Sequence, residues 1–334
     1  MARYVVSRVL QAVLVVFGVT VITFVALHVV PGDVAQMIAG DKATPQQLAR
    51  IRQQLGLYDP LWVQYWRFLS AAVRGDFGVS LQTHRPAVTQ VLSAFPLTFE
   101  LAILALLVAV VAGVWLGIVS ATRRGGVAEG AAILLTMVGT SAPVFWTGLL
   151  LLLLGGSALH IFPIGGVLSS GVRLDQITGM PVLDAIITGN LPALGDALVH
   201  LVLPVITLAL LPTAVIARIT RAGMLEVIRQ AYVQTARAKG AARIRVVYRH
   251  ALPNALLPVI TTVGLQFGTL LSGAILTETV FALPGLGRVA INAILSRDYP
   301  VIEAMVVLTA VVFTVINLVV DLTYGLLDPR QRER

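Results

Sequence analysis

Six stretches of this chain run for roughly 20 residues or more with almost no charge, and the polar positions are gathered in blocks between them. They cover 9–30, 97–121, 131–155, 197–217, 256–277 and 301–320. At about 1.5 Å per residue each is long enough to cross a hydrocarbon core of about 30 Å as a helix. They are too long for barrel strands, and backbone in lipid must satisfy its own hydrogen bonds, so the pattern predicts an all-α integral membrane protein with six transmembrane helices. The last stretch is the least apolar, with Glu303 near its start and Asp321 at its end. Arg3 and Arg8 ahead of the first stretch resemble a secretory signal. That stretch exceeds a typical signal core, however, and no small-x-small cleavage site precedes Pro31-Gly32-Asp33, which predicts a retained first helix.

Orientation follows from the basic residues. With the N-terminus inside, one side carries Arg3, Arg8, Arg123, Arg124, the eight cations of the long loop before span five, Arg330, Arg332 and Arg334. That is 15 basic residues against 9 on the other side, although the other side holds more chain. Both termini are therefore expected to be cytoplasmic. The organisation that results is an N-terminal end and first span (1–30), an extracytoplasmic segment (31–96), and a core of spans two to six (97–334). Composition agrees, at 57% apolar and 12% charged residues with a mean hydropathy of +0.89. The net charge of +8 is what this topology produces, and it does not call for a nucleic-acid partner.

The outer segments carry turn punctuation around helical pieces. Thr44-Pro45-Gln46-Gln47 ahead of Leu48, Ile51 and Leu55 predicts a helix start. Trp62, Tyr65, Trp66 and Phe68 suit a membrane-interface belt. Residues 162–196 are rich in Gly and Pro, with a helical patch at 182–187.

Several chemistries are excluded. There is no cysteine. The chain has two lysines, Lys42 after Asp41 and Lys239 after Ala238, so the Gly-Lys-Ser/Thr ending of a phosphate-binding loop is absent. The five histidines are scattered, without paired metal-ligand spacing, and Gly-x-Ser-x-Gly is missing. The chain is expected to be no enzyme and to bind no cofactor or metal itself.

One polar segment stands out. From Arg218 to Arg249 the chain carries seven arginines and Lys239 against a single acid, Glu226. Met224, Leu225, Ile228 and Tyr232 keep a roughly helical apolar stripe. Ala231 to Lys239 favours a helix that Gly240 can end in the left-handed conformation. A second piece, 243–250, places Ile244, Val247 and Ala251 on one side, and Pro253 and Pro258 mark entry to span five. The result is a helix–glycine–helix hairpin between spans four and five. By pattern alone, two readings stand: a surface for a partner protein, or positive charge lying on anionic membrane lipid.

Gln234-Thr235-Ala236, three residues, Gly240, nine residues, then His250-x-Leu252-Pro253 resembles the EAA loop of binding-protein-dependent ABC importer permeases. The fuller string from Tyr232 to Gly240 is similar to the dipeptide, oligopeptide, nickel and glutathione branch. Further matches span the chain: Pro31-Gly32-Asp33, Gln54-Leu55-Gly56-Leu57, Gly75-Asp76-Phe77-Gly78, Thr277-Glu278-Thr279, Pro284-Gly285-Leu286-Gly287 and Arg297-Asp298-Tyr299-Pro300. The resemblance implies a type I importer permease of the bacterial cytoplasmic (inner) membrane, translocating short peptides or similar solutes. Its partners would be a second homologous permease, two ATPase subunits that use ATP and Mg, and an extracytoplasmic substrate-binding protein. Residues 218–253 would then be the coupling loop, with Tyr232, Gln234, Thr235, Ala236, Arg237, Ala238, Lys239, Gly240, His250, Leu252 and Pro253 meeting an ATPase. Gln234 stands where the wider family has glutamate.

Glu278, Pro284, Gly285 and Asp298 have two readings, an outer gate or binding-protein contact, and a solvated, hydrogen-bonded loop. Glu100 and Asp321 near span ends are read as snorkelling or capping groups. Pro143, Pro204 and Pro212 predict kinks, Gly264, Gly268 and Gly273 close helix packing, and the third to fifth spans a substrate path. The rival is a stand-alone ion-coupled secondary transporter, which would want inverted repeats and buried acids; neither is evident in the sequence.

Overall fold

The structure, a computed structural model, describes residues 2–29, 35–36, 43–54, 56–123 and 125–327. Pro31-Gly32-Asp33, Lys42, Leu55, Arg124, Arg330, Arg332 and Arg334 lie outside the described residues. Among those described the chain is helical, with one isolated antiparallel bridge between Val79 and Pro86. It divides into two compact units, Met1–Phe95 with Val289–Arg334, and Pro96–Arg288.

Among the described residues five helices are long and apolar enough to cross a membrane: Val5–Ala26, Ala87–Thr122, Leu191–Val227, Leu257–Val280 and Tyr299–Val319. The expected third span differs. It is a pair, Glu129–Ser141 and Val144–Ala158, bent by 112°. Pro143 explains the break. Its ring excludes the α conformation from the preceding residue, and it has no N–H to donate. Ala142 accordingly sits at ψ 132° and Pro143 at ψ 137°. Pro96, Pro204 and Pro212, by contrast, lie inside unbroken helices.

In the first unit the N-terminal helix Ala2–Val29 packs on the last helix, Tyr299–Leu327, and on Leu61–Val73. The expected aromatic belt splits into two roles. Tyr65 packs edge-on against Phe17 and Phe24, and its hydroxyl lies 3.0 Å from Thr20 Oγ1. Trp62 and Trp66 instead point outward. The helix Pro45–Gln54 begins as predicted, with a reciprocal cap in which Thr44 N donates to Gln47 Oε1 and Gln47 N to Thr44 Oγ1.

The second unit is built around Leu191–Val227, which packs on Leu257–Val280, Val127–Ser141, Val144–Leu151 and Pro181–Ile187. Its 37 residues span about 55 Å, well beyond a 30 Å core, so its charged end projects from the apolar region. Neighbouring helices approach it through glycine. A Cβ on Gly139 would stand 2.8 Å from Leu210 O, and one on Gly223 2.8 Å from Ala255 O. Of the glycines expected to do this, Gly273 makes an ordinary contact, with Leu208 at 3.4 Å.

Candidate functional site

The long helix Leu191–Val227 ends at a three-residue turn, and the basic hairpin starts there as a new helix, Ala231–Ala238. The break resets the helical register, so the predicted continuous stripe fails at its end. Met224 is fully buried and Leu225 and Ile228 pack nearby, whereas Tyr232 is exposed and Val233 takes the buried position. An apolar period continued through the turn falls on Tyr232 and misses Val233. Gly240 behaves as predicted, with φ +79°. Its N–H donates to Arg237 O (2.9 Å) and Ala241 N–H to Ala236 O (3.2 Å). These are the two bonds of a Schellman cap, which satisfy carbonyls at the helix end. A Cβ at Gly240 would meet nothing within 4 Å, so glycine is required there by conformation and not by space.

The second arm runs Arg243–Arg245, a π-helical segment Val246–Ala251, then Leu252–Ala255. In a π-helix, residues five apart share a face. Val246 and Ala251 are therefore buried together with Val247, and Ile244, predicted on the apolar side, is exposed. The hairpin's inner face closes on Ile118, Ala121, Met224 and Val227. Arg243 donates to Thr122 O, ending the helix Ala87–Thr122. Tyr232 ties the two arms, accepting from Asn254 Nδ2 (2.5 Å) and donating to His250 O (3.2 Å).

This leaves an outward face of Gln234, Thr235, Arg237, Ala238 and Lys239 on the first arm and Pro253 near the end of the second, with Ala236, His250 and Leu252 half-buried. Gln234 Nε2 donates to Ile228 O at 3.1 Å, capping the last turn of the preceding long helix. A glutamate carboxylate could not donate that bond. The segment 218–227 of the predicted loop is still part of the long helix.

The acids behave differently from the reading as solvated groups. Glu278 is fully buried, and its Oε2 accepts from Gly287 N at 2.5 Å. Among the described residues its Oε1 has no hydrogen-bond partner. Gly285 and Gly287 fold directly over this carboxyl; a Cβ on Gly287 would stand 2.6 Å from Ile275 Cα. The spacing from Glu278 to Pro284-Gly285-Leu286-Gly287 is thus a loop wrapped on a carboxylate. Glu100 is buried rather than snorkelling, and accepts from the N–H groups of Leu183 (2.9 Å) and Val182 (3.2 Å).

Asp184, which the sequence reading passed over, is also buried. It takes Thr178 Oγ1 at 2.6 Å and the amides of Thr178, Gly179 and Ile177 at 2.8–3.2 Å. Burial disfavours its charge, but the Thr178 hydroxyl and these three amides outweigh it and hold the carboxyl below the ordinary aspartate range. The signal available was an acid in the first turn after Pro181, a helix-start pattern. In the first unit, Asp298 accepts from Ser80 Oγ (2.5 Å), Leu81 N (3.2 Å) and Gln82 N (3.4 Å). Buried acids are therefore present, contrary to the sequence expectation, and each one holds backbone N–H groups. Because Glu278 and Asp298 face inward, the exposed positions around the glycine turn are Ala282, Pro284 and Arg288.

Residues 113–333 match the family described as "Binding-protein-dependent transport system inner membrane component". Residues 1–102 match its companion, "Binding-prot-dependent transport system membrane comp, N-term". The chain belongs to the binding-protein-dependent transport system inner membrane component family. It is 40% identical over 338 residues to the dipeptide transport system permease protein DppB of Escherichia coli (strain K12), covering 100% of both chains. It is 42% identical over 330 residues to DppB of Alkalihalophilus pseudofirmus, covering 99% of each. It is 38% identical over 332 residues to the glutathione transport system permease protein GsiC of Escherichia coli O1:K1 / APEC, again covering 99% of each. A stand-alone secondary transporter finds no support among these relatives.

Proposed function

We propose that this chain is one membrane-spanning subunit of an ATP-driven importer for dipeptides or solutes of that size. The exposed face of Ala231–Ala238, presented on a helix clamped from behind by Val233, is the observation that carries this reading. Such a face transmits force, since a push on Arg237 or Lys239 reaches Met224 and the long helices through packed side chains. ATPase subunits, which hold the ATP and Mg, dock here, and this chain hydrolyses nothing. A second homologous permease completes the pore, and an extracytoplasmic binding protein delivers cargo near the turn at Pro284 and Gly285. Closure of the ATPases then turns the pore outward. Both termini and the hairpin face the cytoplasm, as the excess of basic residues supports.

The cargo class rests on relatives named for dipeptide, di/tripeptide, D,D-dipeptide and glutathione transport. Reconstitution in liposomes with the cognate ATPases, partner permease and binding protein tests this proposal. Dipeptide uptake should require ATP and all components. Uptake driven by an ion gradient with no ATPase present would contradict it.

A further inference from the structure

A cavity of about 710 Å³ opens beside the second arm of the hairpin, within the range of about 300–1,000 Å³ typical of small-molecule sites. Its wall is apolar, formed by Trp115, Leu116 and Val119 of the helix Ala87–Thr122 and by Leu135 of Val127–Ser141. Trp115 and Leu135 are 60% and 57% exposed, so the described residues leave this wall uncovered. The polar lining is Arg123, Arg243, Tyr248 and Thr122. The cations begin where the apolar helix stops: Trp115 lies seven residues, or about 10 Å, before Thr122. No acid is among the described residues that line the cavity. Glu129, in the first turn of Val127–Ser141, is engaged by Arg221 and by the amide of Gly125.

We infer that this groove is a binding site for one anionic phospholipid. The headgroup phosphate lies between Arg123 and Arg243, and an acyl chain lies along Trp115, Leu116, Val119 and Leu135. A soluble anion would pair the arginines but leave the apolar wall wet, and an uncharged chain would cover the wall but leave two cations unmatched. Only an amphiphile with a negative head matches both ends of the groove, and the site lies where a helix leaves the apolar region for a basic surface. Arg243 also holds Thr122 O, so the lipid would brace the hairpin's attachment to this helix.

The test uses the full chain in nanodiscs, with a minor fraction of lipid whose acyl chains are brominated, a quencher of tryptophan at contact range. The Trp115 signal is obtained by subtracting the emission of a Trp115→Phe variant. Brominated phosphatidylglycerol should quench this signal more strongly than brominated phosphatidylcholine, by roughly fivefold or more in effective concentration. The preference should fall in Arg123→Gln and again in Arg123→Gln/Arg243→Gln. Arg123→Gln alone decides the matter if loss of Arg243 impairs folding. Equal quenching by the two lipids, or a preference unchanged in Arg123→Gln, would overturn the site. No quenching by either lipid would mean that protein covers the groove, and would also overturn it.

Discussion

The basic hairpin and the acid-pinned loops of the same unit solve opposite problems. At 231–255 the charged and polar side chains point outward and apolar packing holds the backbone, with Val233, Val246 and Ala251 against Met224 and Val227. Around Glu278, Glu100 and Asp184 the charge is inside and backbone amides converge on it. The hairpin leaves its arginines and Lys239 at the surface. A loop that must keep its shape spends its polar groups internally. Mutations in the two regions should therefore fail differently, one losing function at constant stability and the other losing the fold.

The largest effect is expected at Gly287→Val. The added carbon would press on Ile275 backbone, which cannot step aside as a flexible side chain would. Destabilisation should reach about 3 kcal/mol, the upper end of overpacking costs, seen as a large drop in melting temperature and in the yield of folded protein. A normal melt would show that the glycine turn is not clamped on Glu278.

Asp184→Asn comes next, at about 1–3 kcal/mol, because an amide cannot accept all of the donors gathered on that carboxylate. The effect also has a pH signature. The folded-state pKa lies below the unfolded value near 3.9, so the stabilisation is complete above that pH and disappears as pH falls through the folded value. The gap in melting temperature between wild type and Asp184→Asn should be constant from neutral pH down to about 5 and should narrow only in stronger acid. A gap that closes near neutrality would contradict the bonding seen here.

Gly240→Leu is smaller again in stability, about 1–2 kcal/mol for a left-handed residue with a Cβ, and Gly240→Asn should cost less because asparagine tolerates that conformation. Since the surrounding space is open, both variants should insert and fold. Leucine should uncouple ATP hydrolysis from uptake while asparagine largely retains coupling. Equal transport by the two variants would remove any special role for the left-handed turn. Arg237→Glu stands at the bottom of the stability scale, within about 0.5 kcal/mol of wild type. It should nonetheless lower ATP-driven uptake strongly, the signature that separates the hairpin from the pinned loops.

Much of this is legible in the sequence. The span pattern, the Thr44–Gln47 cap, the helix at 181–187 and the Gly240 terminus each depend on local chemistry that the residues themselves carry. What escaped depends on longer reach. The break at Pro143 is visible as a proline, but Pro204 and Pro212 look the same in sequence and stay within one continuous helix, because neighbouring packing decides between break and continuation. The side change at Ile244 and Val246 required a π-helical turn that no residue pattern announces. The burial of Glu100 and Glu278 depends on donors 83 and 9 residues away, Leu183 and Gly287, which meet only in the fold. Gln234 reads as a lost contact when set against glutamate, and becomes intelligible once Ile228 O is seen waiting for a donor.

The central claim is that the hairpin's outward face is where another protein grips this chain. Because the chain has no cysteine, one introduced thiol supplies a unique label site. Maleimide labelling rates should be compared for Ala238→Cys and Pro284→Cys, each with and without the cognate ATPase subunits. Ala238→Cys should label quickly on the permease and become strongly protected when the ATPases are bound, while Pro284→Cys labels at the same rate in both. Undiminished labelling of Ala238→Cys in an assembled, ATP-hydrolysing transporter would contradict the account.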